Sequence, residues 1–216
     1  MRIGIIGGNF NPIHIGHVSM IEEVYESFNL DKLLIVPNSN PHYKETRKIK
    51  FELTVDMINL AINKKIDYEI STLESDVNEK HFTLNTLKNI SEMYKNDKLI
   101  FIIGSDQFLK FETWYKPEEI RKLINIVVPI RTPYFVDVEE LIKKNPGSFI
   151  RKNYGRKVLL KTSTEKMMIF FDLVNKIDIS SYAIKKMFVE DNVREAKKFL
   201  PSTVFEYIVK NKIYNL

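Results

Sequence analysis

His14 and His17 stand three residues apart, a spacing that puts two imidazoles on one face of a helix. Both follow closely behind the adjacent glycines Gly7 and Gly8. Glycine backbone turns sharply and lets an anion reach main-chain N–H groups with no Cβ in the way. A helix beginning at this point adds free amides and the positive end of its dipole, and both favour phosphate. The segment Gly7-Gly8-Asn9-Phe10-Asn11-Pro12-Ile13-His14-Ile15-Gly16-His17 therefore reads as a place where imidazoles and backbone amides converge on a phosphate chain. Either histidine alone is more often an ordinary polar helix residue, and glycines often only make a turn. Four such features at one strand-to-helix junction favour a site. Zinc ligation by the pair ranks low, because the chain has no cysteine and no acidic third ligand stands nearby. No metal-ligating residues are therefore assigned.

Other residue types invite chemistry with less force. Asp106 comes just after an apolar run and Gly104. Its carboxylate can accept hydrogen bonds from ribose hydroxyls or an adenine amine, or cap the next helix. Thr83 opens a predicted helix, where its hydroxyl and N–H can cap the helix or meet an acidic group on a ligand. Trp114, the only tryptophan, can stack on a flat heteroaromatic ring or simply pack in a core. Lys44 is one of several lysines in its stretch and reads equally as solvated surface.

The elements that must position these groups are legible from apolar spacing. Apolar runs at Arg2–Ile6, Leu33–Val36, Ile66–Ile70, Leu99–Ile103, Ile126–Ile130 and Met167–Phe171 read as strands. Helical periodicity marks His14–Phe28, Ile49–Ile62, Phe82–Tyr94, Pro117–Ile124, Ser181–Val189 and Ser202–Lys210. Strands separated by helices imply parallel pairing through right-handed crossovers, hence an α/β fold: a Rossmann-like, doubly wound parallel sheet with helices on both faces. Arg131–Lys166, with Pro133, Asn145-Pro146-Gly147 and the basic segment Arg151–Lys161, reads as loops around a short helix near Val138–Lys144. One domain spanning 1–216 is expected, with the core over about 1–175 and a helical part over about 176–216.

The chain's 216 residues suffice for a substantial core, and 44% hydrophobic with 28% charged residues is globular rather than disordered. No stretch approaches the roughly 20 apolar residues of a membrane-spanning helix. The apolar run after Met1 is too short for a signal peptide. Without cysteines there is no disulfide framework, so a cytoplasmic protein without membrane partners is expected. A net charge of +5 suits anionic partners, although the abundance of Lys, Asn and Ile throughout points as readily to coding bias.

The first segment matches Gly-Gly-x-Phe-x-Pro-x-His-x-Gly-His, the signature of the nucleotidyltransferase superfamily. Further segments resemble the nicotinate-nucleotide adenylyltransferase family. Pro37-Asn38-Ser39-Asn40-Pro41-His42-Tyr43-Lys44 is similar to its Pro-Pro-His-Lys loop, with His42 and Tyr43 standing for the second Pro and the His. His81-Phe82-Thr83-Leu84-Asn85-Thr86-Leu87 resembles its Ser-Tyr-Thr-x-Asp-Thr-Leu, with Asn85 for the Asp. Ile103-Gly104-Ser105-Asp106 with downstream Trp114, and Leu200-Pro201 through Tyr207-Ile208 to Tyr214, match its later motifs. Ile179-Ser180-Ser181-Tyr182-Ala183-Ile184-Lys185 resembles Ile-Ser-Ser-Thr-x-Ile-Arg, with Tyr182 for the threonine and Lys185 for the arginine. Lysine gives a point charge where arginine gives a bidentate fork; the adjacent Lys186 could share its role.

The resemblance implies adenylyl transfer from ATP to the phosphate of nicotinate mononucleotide, with release of pyrophosphate. It implies His14, His17 and Lys185 as catalytic groups. Gly7, Gly8, Asn9, Phe10, Gly104, Asp106, Ser180 and Ser181 would meet ATP. Lys44, Thr83, Trp114, Tyr115 and Arg131 would meet the acceptor. Mg²⁺ would arrive on the ATP phosphates, since no dedicated carboxylate cluster is visible. A homodimer is left open, and no nucleic-acid partner is implied. Two alternatives stand beside this reading: the same chemistry on nicotinamide mononucleotide or phosphopantetheine, and a basic RNA-binding or regulatory module that has lost catalysis.

Overall fold

Ile3 and Ile5 belong to one buried cluster and Ile6 to a second, while Leu33 and Ile35 are divided in the same way from Leu34 and Val36. The two clusters lie on opposite faces of one sheet, so each strand is apolar on both sides and reads as a continuous hydrophobic run. The computed structural model describes residues 1–39, 49–76, 80–144, 149–162 and 166–214. In chain order these hold β1 (Arg2–Gly8), α1 (Ile15–Ser27), β2 (Lys32–Pro37), α2 (Phe51–Ala61), β3 (Tyr68–Ile70), α3 (Thr83–Met93) and β4 (Lys98–Ile102). Next come α4 (Ser105–Phe108), a 3-10 turn at Phe111–Thr113, α5 (Pro117–Leu123), β5 (Asn125–Ile130), α6 (Val138–Lys144), β6 (Phe149–Tyr154) and β7 (Lys157–Thr162). The chain ends with β8 (Met167–Asp172), α7 (Ser181–Val189), α8 (Val193–Lys198) and α9 (Ser202–Lys210).

The sheet order is β3-β2-β1-β4-β5-β8-β7-β6. Strands β1 to β5 and β8 pair in parallel, as expected for a doubly wound α/β sheet. Residues of α1, α2, α7, α8 and α9 pack on one face, and residues of α3, α4 and α5 on the other. The winding reverses between β1 and β4, where the carboxyl ends of two parallel strands diverge and leave a crevice.

Arg131–Lys166 departs from its reading as loops. It contains the expected helix as α6 but also a hairpin, with β6 antiparallel to β7 and β7 antiparallel to β8. The turn is made at Gly155, whose φ of 54° is costly for other residues. Three of the basic residues here have partners within the fold. Arg151 pairs with Glu139, Arg156 pairs with Glu23 of α1, and Lys157 donates to the Ser27 carbonyl at 2.6 Å. The Lys157 ammonium also lies 4.2 Å from the centre of the Phe28 ring. A cation at the carboxyl end of α1 complements the helix dipole. The hairpin thus braces the far end of the helix whose first turn carries the histidines.

Among the described residues, no helix is long and apolar enough to cross a membrane.

Candidate active site

His14 is the N-cap of α1, in extended conformation, and His17 is the third helical residue. Each imidazole accepts the other's backbone N–H on its Nδ1: His17 N–H to His14 at 3.3 Å, and His14 N–H to His17 at 3.4 Å. This is a reciprocal capping box built from two histidines, where serine or threonine and glutamate usually serve. The rings stack with centroids 3.7 Å apart and planes 28° from parallel. Because both Nδ1 atoms are acceptors, a neutral ring carries its proton on Nε2 and can donate from there. Burial, then the charge of Arg131, pushes the His17 pKa down to about 3. Burial holds His14 far below the ordinary histidine range, His17 and Arg131 add to that effect, and Asp106 opposes it. Both rings are therefore neutral donors at physiological pH.

Two local details set this geometry. A Cβ on Gly16 would lie 3.2 Å from two atoms of the His14 ring, so the intervening glycine is what lets that ring fold back on the helix. Phe10 has φ 42°, is 1% exposed and meets the His17 ring edge-on at 5.2 Å. The sharp turn after β1 falls on Phe10, whereas Gly7 and Gly8 stay extended in register with Val36 and Pro37. Burial of the aromatic ring offsets the strain of a left-handed, non-glycine residue. Nor is the helix terminus as open as its sequence suggests: the Ile15 N–H is bonded to the Phe199 carbonyl at 3.0 Å, and the His17 N–H is taken within the cap. The Nε2 groups are donors that this turn can still offer.

Both histidines line a cleft of about 690 Å³ at the switch between β1 and β4. Gly7, Gly8 and Asn9 border it from β1, and Gly104 and Asp106 from the end of β4. Asp106 pairs with Arg131 at 2.7 Å, and a Cβ on Gly104 would come within 2.7 Å of the same carboxylate oxygen. Asp106 does not cap α4, whose N-cap is Gly104. Fully buried Ser105 accepts the Arg131 N–H at 3.1 Å, joining the start of α4 to the end of β5.

Thr83, Trp114 and Tyr115 line the same cleft. Thr83 is the first residue of α3 but not its cap; Phe82 holds that position without a side-chain cap bond. Trp114 packs against Phe111 at 5.5 Å and Phe101 at 6.4 Å while one side meets the cleft, so core and cavity share the indole. Tyr115, 45% exposed, meets the Phe82 ring at 4.7 Å. From α7, Ser180, Ser181 and Lys185 reach the cleft. Ser180 caps the helix by accepting the Ala183 N–H at 3.2 Å, and the Ser181 hydroxyl donates to the Pro12 carbonyl at 2.9 Å. Lys186, one residue on, is exposed and faces Glu190 at 3.5 Å. Lys44, with His42 and Tyr43, lies outside the described residues.

Sequence reasoning missed Glu74, 7% exposed at the cleft, which accepts the Thr86 hydroxyl at 2.7 Å and whose carbonyl accepts the Ser39 hydroxyl. Its stretch carries no periodic signal, and only the meeting of the β2 exit with α3 gives it meaning.

Residues 5–187 match the profile of cytidylyltransferase-like proteins. A probable nicotinate-nucleotide adenylyltransferase from Geotalea daltonii is 33% identical, covering 100% of this chain and 99% of its own. The chain belongs to this family. A probable nicotinate-nucleotide adenylyltransferase from Shewanella woodyi is 29% identical over 99% of both chains. In fold, the chain is similar to Plasmodium falciparum nicotinic acid mononucleotide adenylyltransferase complexed with NaAD. That match has a TM-score of 0.78 and 20% identity, covering 99% of this chain and 97% of the other. The cleft at the β1–β4 switch is thus the candidate active site of a nicotinate-nucleotide adenylyltransferase family member.

Proposed function

We propose that the chain transfers the adenylyl group of ATP to the phosphate of nicotinate mononucleotide, giving deamido-NAD and pyrophosphate. The observation that carries this reading is the pair of stacked, neutral imidazoles facing a cleft that extends to Thr83 and Trp114. A phosphate oxygen of the acceptor attacks the α-phosphorus in line, and the bond from that phosphorus to the bridging oxygen breaks, releasing pyrophosphate. The acceptor phosphate has a second pKa of about 6, so it is largely dianionic at neutral pH and needs no general base. The chain's work is then to align two anions and stabilise charge on the transferring group.

In this reading His14 and His17 donate from Nε2 to the α-phosphoryl oxygens, and the Gly7–Phe10 loop lets the triphosphate approach. Gly104 and Asp106 receive the adenosine, with Asp106 accepting from hydroxyl or amine groups. Lys185 and the start of α7 at Ser180 and Ser181 hold the departing pyrophosphate. Trp114 and Tyr115 offer flat faces to the pyridine, Thr83 an amide and hydroxyl to its carboxylate, and Arg131 a guanidinium to the acceptor's anionic groups; Lys44 would reach phosphate. Mg²⁺ would arrive as an ion carried on the ATP phosphates. When bound, it would offset phosphate charge.

One support of the lapsed RNA-binding alternative, the basic Arg151–Lys161 segment, is weakened, since Arg151, Arg156 and Lys157 are engaged within the fold. The test compares pyrophosphate release from ATP with nicotinate mononucleotide, its amide and phosphopantetheine. The acid should turn over fastest; faster turnover of phosphopantetheine would overturn the acceptor assignment.

A further inference from the structure

The C-terminal part of the chain returns to the loop between β1 and α1 at several points. Ser181 donates to the Pro12 carbonyl, the Phe199 carbonyl accepts the Ile15 N–H, and the Tyr214 hydroxyl donates to the side-chain oxygen of Asn11. The last is the only one of the three made between two side chains. Tyr214 is 6% exposed, and its ring lies 5.6 Å from that of Phe188 on α7. Asn11 follows Phe10, the left-handed residue whose ring backs His17, and precedes the Pro12–Ile13 stretch that leads into His14. A loop held in a strained conformation needs restraint from outside itself.

We infer that Tyr214 is a positioning residue for adenylyl transfer: its hydroxyl fixes Asn11 and so holds the Asn9–His14 loop in the conformation that aims both imidazoles into the cleft. Burial raises the Tyr214 phenol well above the ordinary tyrosine range, so it is a protonated donor at neutral pH. The bond requires of position 11 only an acceptor oxygen, which either an amide or a carboxylate supplies. The geometry therefore separates Asn11→Ala from Asn11→Asp. Turnover effects rest on the adenylyl-transfer reading above, whereas restraint of the loop does not.

The experiment measures two things in the full chain and in Tyr214→Phe, Asn11→Ala and Asn11→Asp. The first is amide hydrogen exchange of residues 9–14, and the second is steady-state pyrophosphate release with ATP and nicotinate mononucleotide. Tyr214→Phe retains the ring against Phe188, so its melting temperature should stay close to that of the parent. Exchange in the loop should rise in Tyr214→Phe and Asn11→Ala, and kcat should fall by about tenfold with both KM values nearly unchanged. Asn11→Asp should recover most of the exchange protection relative to Asn11→Ala, while its turnover also carries the effect of a new charge at the cleft. Parent-like exchange in Tyr214→Phe, or loop exchange in Asn11→Asp as fast as in Asn11→Ala, overturns the inference. If the parent itself releases no pyrophosphate, the adenylyl-transfer reading fails, and the exchange data alone decide whether Tyr214 restrains the loop.

Discussion

At the scale of single residues, the site depends on small groups that leave room for larger ones. Gly16 is the clearest case, because an added Cβ would press on the His14 ring at 3.2 Å. Alanine is the better helix former by up to about 1 kcal/mol, which offsets the cost of pressing on the buried His14 ring, so Gly16→Ala should melt close to the parent. Its kcat should nevertheless fall by about 10- to 100-fold as the ring is displaced, measured by pyrophosphate release. The histidines also predict how stability depends on pH. Burial depresses both folded-state pKa values below the ordinary 6.5, so the unfolded chain binds more protons than the folded one below that pH. Stability is therefore full above about pH 6.5 and lost as pH falls towards the folded values, by at most about 1.4 kcal/mol per pH unit for each ring. Urea midpoints at pH 7 and pH 5 should drop less for His17→Gln than for the parent; equal drops would contradict the neutral-imidazole assignment. These residues were legible because their pattern is local: a strand, two glycines and two histidines within one short segment. The reciprocal capping box was not, since no rule of spacing says that an imidazole will act as a cap.

At the scale of elements, the strands and helices that carry the site follow from apolar periodicity, and β1, α1, β2 and β4 lie where the sequence places them. The hairpin of β6 and β7 escapes that reading for a physical reason. β6 is an edge strand whose Arg151 and Lys152 are exposed, and β7 pairs on both sides yet Leu160 is the one buried residue among Lys157–Lys161. Charged residues there resemble a loop until their partners on α1 and α6 are known. Glu23 is the receiving end of that brace: it pairs with Arg156 and accepts the Val174 N–H at 2.9 Å. Glu23→Gln should lower stability by about 1 to 2 kcal/mol, read from the denaturant midpoint. It should leave turnover near the parent value, because Glu23 lies at the end of α1 remote from His14. A large loss of kcat without loss of stability would show that the hairpin does more than hold the helix.

At the scale of the whole molecule, the cleft exists because distant parts of the sequence meet at the point where the sheet reverses. The β1–α1 turn supplies the imidazoles, α4 with the end of β5 supplies the Asp106–Arg131 pair, and α7 supplies Lys185. Motif order predicted that these segments belong to one site, but not how they hold one another. The Ile15–Phe199, Asn11–Tyr214 and Thr86–Glu74 bonds join residues whose spacing gives no sign of their pairing, which appears only once the chain is folded. The two neutral rings act, in the proposed reaction, when ATP and its acceptor are bound between these walls. The most direct measurement is the kinetics of His17→Ala set beside its equilibrium affinity for ATP. Loss of one preorganised donor to the transferring phosphoryl group should lower kcat by about 10²- to 10³-fold while ATP affinity changes little. Turnover within a few-fold of the parent, or a loss that appears wholly as weaker ATP binding, would contradict a role for the imidazole pair in the transition state.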